Sequence, residues 1–215
     1  MLRDGEPFLK RPFDIFLSGI GLLLSAWLWA LIWIMIVLED GYPVFIKQIR
    51  VGKDGKHFTT LKFRSMKKTN SEEPNIQAHE DDLRVTVVGR ILRKTALDEL
   101  PQLLNIFQGN MSFVGPRPLL PLEVEVSGDD RYVKIENIPG FNQRVTVRAG
   151  LTGLAQVYAP RDIPRRYKFK YDILYIKKMN FYLDLQLIFL SFLVTLTGRW
   201  EKRNRKLDIL IRRKK

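Results

Sequence analysis

Two adjacent acidic residues, Asp98 and Glu99, have the strongest case for chemistry in this sequence. They follow a basic run that includes Arg93, and they precede Arg117, which has a proline on each side. A carboxylate serves as a nucleophile or a metal ligand, and arginine binds phosphate through paired hydrogen bonds. An isolated Asp-Glu pair is usually a solvated surface feature. Acidic and basic groups placed together in this order instead indicate a site for phosphate and a metal ion.

The dyad stands just before a predicted helix. Its apolar face has the spacing i, i+3, i+4 and i+7 and consists of Leu100, Leu103, Leu104 and Phe107. Pro101 belongs in the first turn because it has no N–H to donate, so we expect Leu97 or Asp98 to be the N-cap and the helix to end near Gly109. A helix N-terminus and nearby cations favour an ionised carboxylate, so we expect Asp98 to be charged.

Arg117 lies in a segment that is neither regular helix nor central strand. Residues 114–119 contain two prolines and a glycine, which break both structures. We therefore predict a rigid loop that presents Arg117, and a second rigid turn at residues 148–153.

A β-hairpin is predicted between the N-terminal helix and the dyad. Residues 43–51 and 57–64 have the composition of short strands, and a glycine-bearing turn joins them. The second strand carries two more cations, Lys62 and Arg64, which we expect to add to phosphate binding.

The N-terminal helix must contact lipid. Residues 15–38 form an uncharged run of 24 residues, long enough as a helix to reach about 36 Å. Basic residues flank it on both sides, beginning with Lys10 and Arg11 before it and Lys47 after it, so neither side is clearly the positive one. Two topologies stay open here: a straight spanning helix, and a re-entrant helix that returns both ends to the cytoplasmic face.

The C-terminal third is predicted to lie at the membrane surface. Residues 165–178 fit a basic helix with an aromatic stripe, which is equally explained by core packing. The apolar run 181–200 is interrupted by Asp184 and suits an interfacial helix better than a spanning one. Residues 201–215 contain eight Lys and Arg residues and read as an anchor for anionic lipid.

Composition narrows the class of partner. A net charge of +13 on 215 residues predicts attraction to nucleic acid, anionic lipid or phosphorylated substrates. The sequence has no cysteine, which excludes disulfides and thiolate metal sites, and its two histidines are too few for a His-rich metal centre. A membrane-tethered nucleic-acid binder is the rival interpretation. It leaves Asp98, Glu99 and Arg117 unexplained and matches no known module, so we expect no nucleic-acid partner.

At this point the chain resembles a known family, the small monotopic phosphoglycosyl transferases, also called bacterial sugar transferases. Six sequence blocks carry the resemblance, and those around Asp98 and Arg117 are the most specific. The blocks are residues 10–14, 43–48, 61–66, 97–103, 109–118 and 150–157.

The resemblance implies an α+β, mostly helical monotopic membrane protein. It would have an N-terminal re-entrant helix in residues 1–42, a catalytic domain with a small β-hairpin and interfacial amphipathic helices in residues 43–200, and a basic tail in residues 201–215. The family usually breaks its membrane helix with a Ser-Pro pair, whereas this chain has no proline between Pro12 and Pro43. The choice between re-entrant and spanning therefore stays open.

The resemblance also implies the reaction. The family transfers a sugar-1-phosphate from a UDP-sugar to polyprenyl (undecaprenyl) phosphate at the cytoplasmic face of the bacterial inner membrane, releasing UMP and starting glycan assembly. Its two-step mechanism would make Asp98 the nucleophile and Glu99 a catalytic residue that also binds Mg²⁺. Substrate phosphates would be bound by Arg117, Arg93, Lys62 and Arg64. An enzyme that moves the sugar without its phosphate would release UDP instead. The identity of the sugar, the glycan pathway and the oligomeric state are not encoded in these motifs.

Overall fold

The structure is a computed structural model that describes residues 5–67, 82–121, 123–126, 132–160 and 163–197. Its helices are α1 (Lys10–Asp40), α2 (Val87–Thr95), α3 (Gln102–Gln108), α4 (Phe141–Arg144), α5 (Leu154–Tyr158), α6 (Arg165–Lys178) and α7 (Phe181–Thr197). Its strands are β1 (Phe45–Val51), β2 (His57–Phe63), β3 (Met111–Val114), β4 (Val124–Val126), β5 (Tyr132–Lys134) and β6 (Ala149–Thr152). This mixture of helices and short strands confirms the predicted α+β class.

In the described residues the strands form three small sheets. β1 and β2 form the predicted antiparallel hairpin, in which Phe45 pairs with Phe63 and Val51 with His57. The turn between them has positive φ at Asp54, 56°, and at Gly55, 72°. β4 pairs with β5 antiparallel, and β3 pairs with β6 parallel. The β3–β6 pair fixes the start of the loop that carries Arg117.

α1 is one continuous helix that packs on the domain along its whole length. Its inner face contributes Ile32 and Ile36 to a core with Phe63 of β2 and Leu92 of α2. Nearer its start, Leu22 packs beside Leu103 of α3. The helix is longer than the predicted apolar run, because both of its polar ends are tied to the domain.

Buried polar contacts hold the two ends of α1. At the start, Lys10 Nζ donates to Asp184 Oδ2 at 2.7 Å and to the carbonyl oxygen of Val114 at 2.8 Å. At the end, Arg64 Nη2 lies 3.1 Å from Asp40 Oδ2. The charge of Lys10, which the sequence interpretation counted as a membrane flank, is therefore neutralised inside the protein.

The outer face of α1 is apolar and exposed. It is the one helix in the described part of the chain that is long and apolar enough to cross a membrane. Among its outward side chains, Leu23 is 79% exposed and Trp27 is 69% exposed. α7 adds further exposed aromatic side chains: Tyr182, Phe189 and Phe192. This surface fits the monotopic arrangement implied by the resemblance.

α6 and α7 correspond to the two helices predicted near the C-terminus. Of the predicted stripe on α6, Tyr171 and Tyr175 are buried and pack in the core, whereas Tyr167 is exposed. On α7, Asp184 is buried against Lys10 rather than exposed at an interface. The basic tail, residues 201–215, lies outside the described residues, and its lipid contact stays a prediction.

Candidate active site

Asp98 and Glu99 lie in a single 3-10 turn, Leu97–Glu99, that joins α2 to α3. α2 ends because Ala96 adopts a left-handed conformation, with φ 56°, which turns the chain back toward the hairpin. α3 begins only at Gln102, with Pro101 at its N-cap, and it ends at Gly109 as predicted. The expectation that Leu97 or Asp98 caps α3 is therefore wrong, because the extra 3-10 turn comes between the dyad and the α-helix.

Glu99 is surrounded by cations. Lys62 Nζ from β2 lies 2.5 Å from its Oε1 atom, and Arg117 Nη2 lies 3.6 Å from the same atom. Burial on its own would raise the pKa of Glu99, but Lys62, Arg117 and Arg50 outweigh burial and lower the pKa to about 2. Glu99 is therefore ionised throughout the physiological range.

Asp98 has the opposite electrostatic environment. Burial, followed by the negative charge of Glu99, raises its pKa to about 6, although Lys62 and Arg93 act in the other direction. The expected neighbouring cations are present, but the cost of burying Asp98, which is not apparent from the sequence, outweighs them. The dyad thus holds two carboxylates whose pKa values differ widely, a pattern typical of catalytic pairs.

Arg117 is presented from a loop with tightly fixed backbone. Gly115 donates its N–H to the carbonyl oxygen of Thr152 at 2.9 Å, and Gly150 donates to Pro116 at 2.9 Å. A Cβ atom on Gly150 would lie 2.0 Å from the backbone nitrogen of Gly115. The two backbone segments therefore approach each other more closely than any residue with a Cβ atom would allow. The side chain of Arg117 is 47% exposed, which leaves it free to meet a ligand.

The backbone of Arg117 is held from a second side. Arg144 Nη2 donates to the carbonyl oxygen of Arg117 at 2.7 Å, and the same guanidinium pairs with Asp172 at 3.2 Å. Arg144 and Asp172 are both buried. This pair therefore links the predicted rigid loop to α6.

Not every predicted phosphate ligand joins the dyad. Arg93, on α2, is close enough to lower the pKa of Asp98, and its Nη1 atom is buried without a hydrogen-bond partner in the described part of the chain. Arg64 lies apart from the cluster. It donates to the carbonyl oxygens of Asp40 and Gly41, both at 2.7 Å, and so closes the C-terminal end of α1.

An open cleft adjoins Glu99. Its lining includes three cations from three segments: Lys62, Arg117 and Arg50. Gln102 lines it as well. Neither Arg50 nor Gln102 was predicted from the sequence to belong to the site. Strand alternation could have predicted the position of Arg50, because residues 46, 48 and 50 share the hairpin face that carries Lys62.

The donor set fits Mg²⁺ only as an ion shared with substrate phosphate. In the described residues no group of three or more acidic or histidine side chains is placed to hold a metal alone. Mg²⁺ commonly uses one or two carboxylates together with phosphate oxygens, and Glu99 and Asp98 provide such a pair. The site thus combines two carboxylates of very different pKa with several nearby cations.

Comparison with known proteins assigns the fold and motifs to a family. The model of the family described as bacterial sugar transferase matches residues 5–198. A UDP-glucose:undecaprenyl-phosphate glucose-1-phosphate transferase of Klebsiella pneumoniae is 40% identical over 85% of this chain, which spans 39% of that relative.

Two further relatives differ in substrate or in length. A UDP-N-acetylgalactosamine-undecaprenyl-phosphate N-acetylgalactosaminephosphotransferase of Aeromonas hydrophila is 40% identical over 89% of this chain and 44% of its own length. An exopolysaccharide production protein of Rhizobium meliloti is 36% identical over 84% of this chain and 82% of its own length. This chain therefore spans less than half of the first two relatives but most of the third.

Proposed function

The chain belongs to the bacterial sugar transferase family, and from this premise we propose that it transfers a sugar-1-phosphate from a UDP-sugar to polyprenyl phosphate, releasing UMP. One observation carries the proposal: Glu99 is held by Lys62 and Arg117 directly beside the carboxylate of Asp98. The names of two relatives include both a UDP-sugar and undecaprenyl phosphate, which supports the same substrate classes here.

The first half-reaction uses Asp98 as the nucleophile. One of its carboxylate oxygens forms a bond to the phosphorus that carries the sugar, and the bond from that phosphorus to the bridging oxygen of UMP breaks. UMP leaves with the electron pair, and the sugar-phosphate is joined to Asp98 as an acyl phosphate. With a pKa of about 6, Asp98 is ionised at neutral pH and is more basic than an ordinary aspartate.

The second half-reaction returns the enzyme to its starting state. An oxygen of polyprenyl phosphate attacks the same phosphorus, the bond to Asp98 breaks, and the product is a polyprenyl diphosphate sugar. Lys62, Arg117 and Arg93 bind the phosphate oxygens that carry negative charge in both steps. Mg²⁺ on Glu99 would supply further neutralisation of the diphosphate.

The membrane setting follows from the lipid substrate. We propose that α1 and α7 hold the protein on the bacterial inner membrane with both ends of α1 and the catalytic domain at the cytoplasmic face. The helix surface that contains Leu23, Trp27 and Phe189 would face lipid, with anionic headgroups as further partners. The product would start a membrane-linked glycan, such as exopolysaccharide, capsule or lipopolysaccharide.

Purified protein in lipid discs, incubated with a panel of UDP-sugars and no acceptor, tests the reaction. We expect UMP, and a mass increase of one sugar-phosphate that peptide mapping locates at Asp98. Asp98→Asn should abolish both signals. Glu99→Gln should lose most activity and regain part of it at high Mg²⁺. An adduct on another residue contradicts the role of Asp98, and release of UDP in place of UMP contradicts transfer of the phosphate.

A further inference from the structure

Arg50 is a cation of the cleft whose charge, among the described residues, is not paired with a carboxylate of its own. It lies on β1, where it alternates with Ile46 and Gln48 to one face of the hairpin. Gln48 pairs with Thr60 and Ile46 pairs with Lys62 in the register of the hairpin. The strand geometry thus places Arg50 on the same face as Lys62, toward Glu99.

The guanidinium of Arg50 is oriented by two neutral acceptors. Its Nη2 atom donates to Gln48 Oε1 at 2.5 Å, and its Nη1 atom donates to the carbonyl oxygen of Pro118 at 3.2 Å. Gln48 belongs to the same strand, while Pro118 belongs to the loop of Arg117. These contacts fix the direction of the guanidinium without neutralising its charge.

Positive charge around Arg50 exceeds the negative charge available to it. Arg117 and Arg165 both disfavour its charged form and Glu99 favours it, and with burial as the largest cause its pKa falls to about 10. Arg165 itself pairs with Glu123, and Glu99 is shared with Lys62 and Arg117. A half-buried arginine still charged at neutral pH among like charges is the arrangement in which an anion binds well.

We propose that Arg50 binds a phosphate group in the cleft beside Glu99. The inference rests on the proposed function, which requires two kinds of phosphate here, that of the UDP-sugar and that of polyprenyl phosphate. Both have the same recognition chemistry, namely charged oxygens that accept from a planar guanidinium. Lys62 and Arg117 bind from the other sides of the cleft, so Arg50 completes a three-sided phosphate site.

A purely structural role for Arg50 makes a different prediction. If Arg50 only holds the carbonyl oxygen of Pro118, its loss acts through a misplaced Arg117. Arg50→Met would then cost nothing further once Arg117→Met is present. If Arg50 contacts phosphate itself, Arg50→Met should weaken binding further even in the Arg117→Met background.

Binding by calorimetry in detergent separates these cases when Arg50→Met and Arg117→Met are measured singly and together. For Arg50→Met we expect roughly 10- to 100-fold weaker binding of UDP with unchanged binding of uridine, as for loss of one charged hydrogen-bonding group. Arg50→Lys should recover part of the UDP affinity. Lys47→Met is the matched control, because it removes a positive charge from the opposite face of the same strand and should bind UDP as the wild type does.

Two kinetic arms identify the source of the phosphate. Slower UMP release in the absence of acceptor assigns Arg50 to the UDP-sugar. A higher KM confined to polyprenyl phosphate, with normal UDP binding, assigns it to the lipid. Equal UDP affinity together with unchanged kinetics in both arms overturns the inference and leaves the proposed function intact. A wild type that releases no UMP, but whose Arg50→Met variant binds UDP more weakly, would instead overturn the proposed function alone.

Discussion

At the scale of single residues, Asp98 and Glu99 differ in pKa because their surroundings differ. Asp98 and Glu99 are adjacent in one 3-10 turn, yet Glu99 faces Lys62 and Arg117 while Asp98 is dominated by burial. The strong anion fits a metal or phosphate-positioning role, since it never protonates near neutral pH. The weaker acid fits the nucleophile, because a higher pKa accompanies greater basicity at the attacking oxygen.

The pKa of Asp98 predicts the pH dependence of the first half-reaction. The attacking form is the carboxylate, so UMP release without acceptor should increase as the pH rises through about 6 and then level off. Single-turnover rates between pH 5 and 8, measured with saturating UDP-sugar, test this. A rate that stays constant from pH 5 upward would contradict the raised pKa of Asp98.

The same shift predicts a gain in stability when the charge is removed. The folded-state pKa of Asp98, about 6, exceeds the ordinary value of 3.8, so the folded protein binds more protons in that window and loses stability as the pH rises through it. Asp98→Asn should therefore match the wild type near pH 4 and be more stable by about 1–3 kcal/mol at pH 7.5. Thermal unfolding at both pH values measures this.

Arg64 should behave as a structural residue rather than a phosphate ligand. Its guanidinium is buried against Asp40 and the end of α1. Arg64→Met should lower the free energy of unfolding by about 3–5 kcal/mol, because it leaves buried acceptors unpaired. The KM for UDP-sugar should stay unchanged in the fraction that folds. A KM increase without loss of stability would restore the substrate-binding role predicted from the sequence.

At the scale of elements, a buried ion pair joins α1 to the rest of the domain. Lys10 of α1 contacts Asp184 of α7, and it also donates to Val114 at the end of β3 and to the hydroxyl of Tyr175. Val114 directly precedes the loop of Arg117. The position of α1 is therefore linked to the loop that carries Arg117.

Breaking this pair should be more harmful than removing both charges. Lys10→Met leaves Asp184 buried and unpaired, and we expect a loss of about 3–5 kcal/mol. Lys10→Met with Asp184→Leu should recover much of that stability, since a buried pair replaced by apolar side chains is often tolerated. Unfolding in detergent compares the two variants. Equal stability of the single and double variants would contradict this prediction.

At the scale of the whole molecule, both ends of α1 contact the same domain. A helix of 31 residues is about 46 Å long, which is enough to cross a bilayer, but Lys10 and Asp40 are bound to parts of one folded unit. A domain on one side of the membrane cannot hold both ends of a spanning helix. The contacts thus favour the arrangement in which both ends share one face.

Cysteine labelling tests this topology without background, because the chain has no cysteine of its own. Phe8 and Lys56 are exposed on either side of α1, so Phe8→Cys and Lys56→Cys suit an impermeant thiol reagent. We expect both to stay unlabelled in intact cells and both to react in inverted membrane vesicles. Labelling of position 8 but not 56 in intact cells would show a spanning helix. Lys10 is unsuitable because it is buried.

The sequence by itself determined the class of site, because its strongest signals are local. An adjacent acid pair, a proline-flanked arginine and a glycine-bearing hairpin each specify a short segment. The structure contains the loop and the hairpin as predicted, and it places the acid pair one 3-10 turn before the predicted helix. The length and apolarity of the first helix likewise follow from its residues alone.

Only the tertiary structure decided which charges meet. Lys10, Asp184 and Arg64 carry the same formal charges as residues of the site, but burial commits them to holding α1 in place. Arg50 joins the cleft through strand register, and the pKa of Asp98 rises through desolvation. Neither effect is visible in a linear pattern, because pairing partners and the exclusion of water depend on segments far apart in the chain.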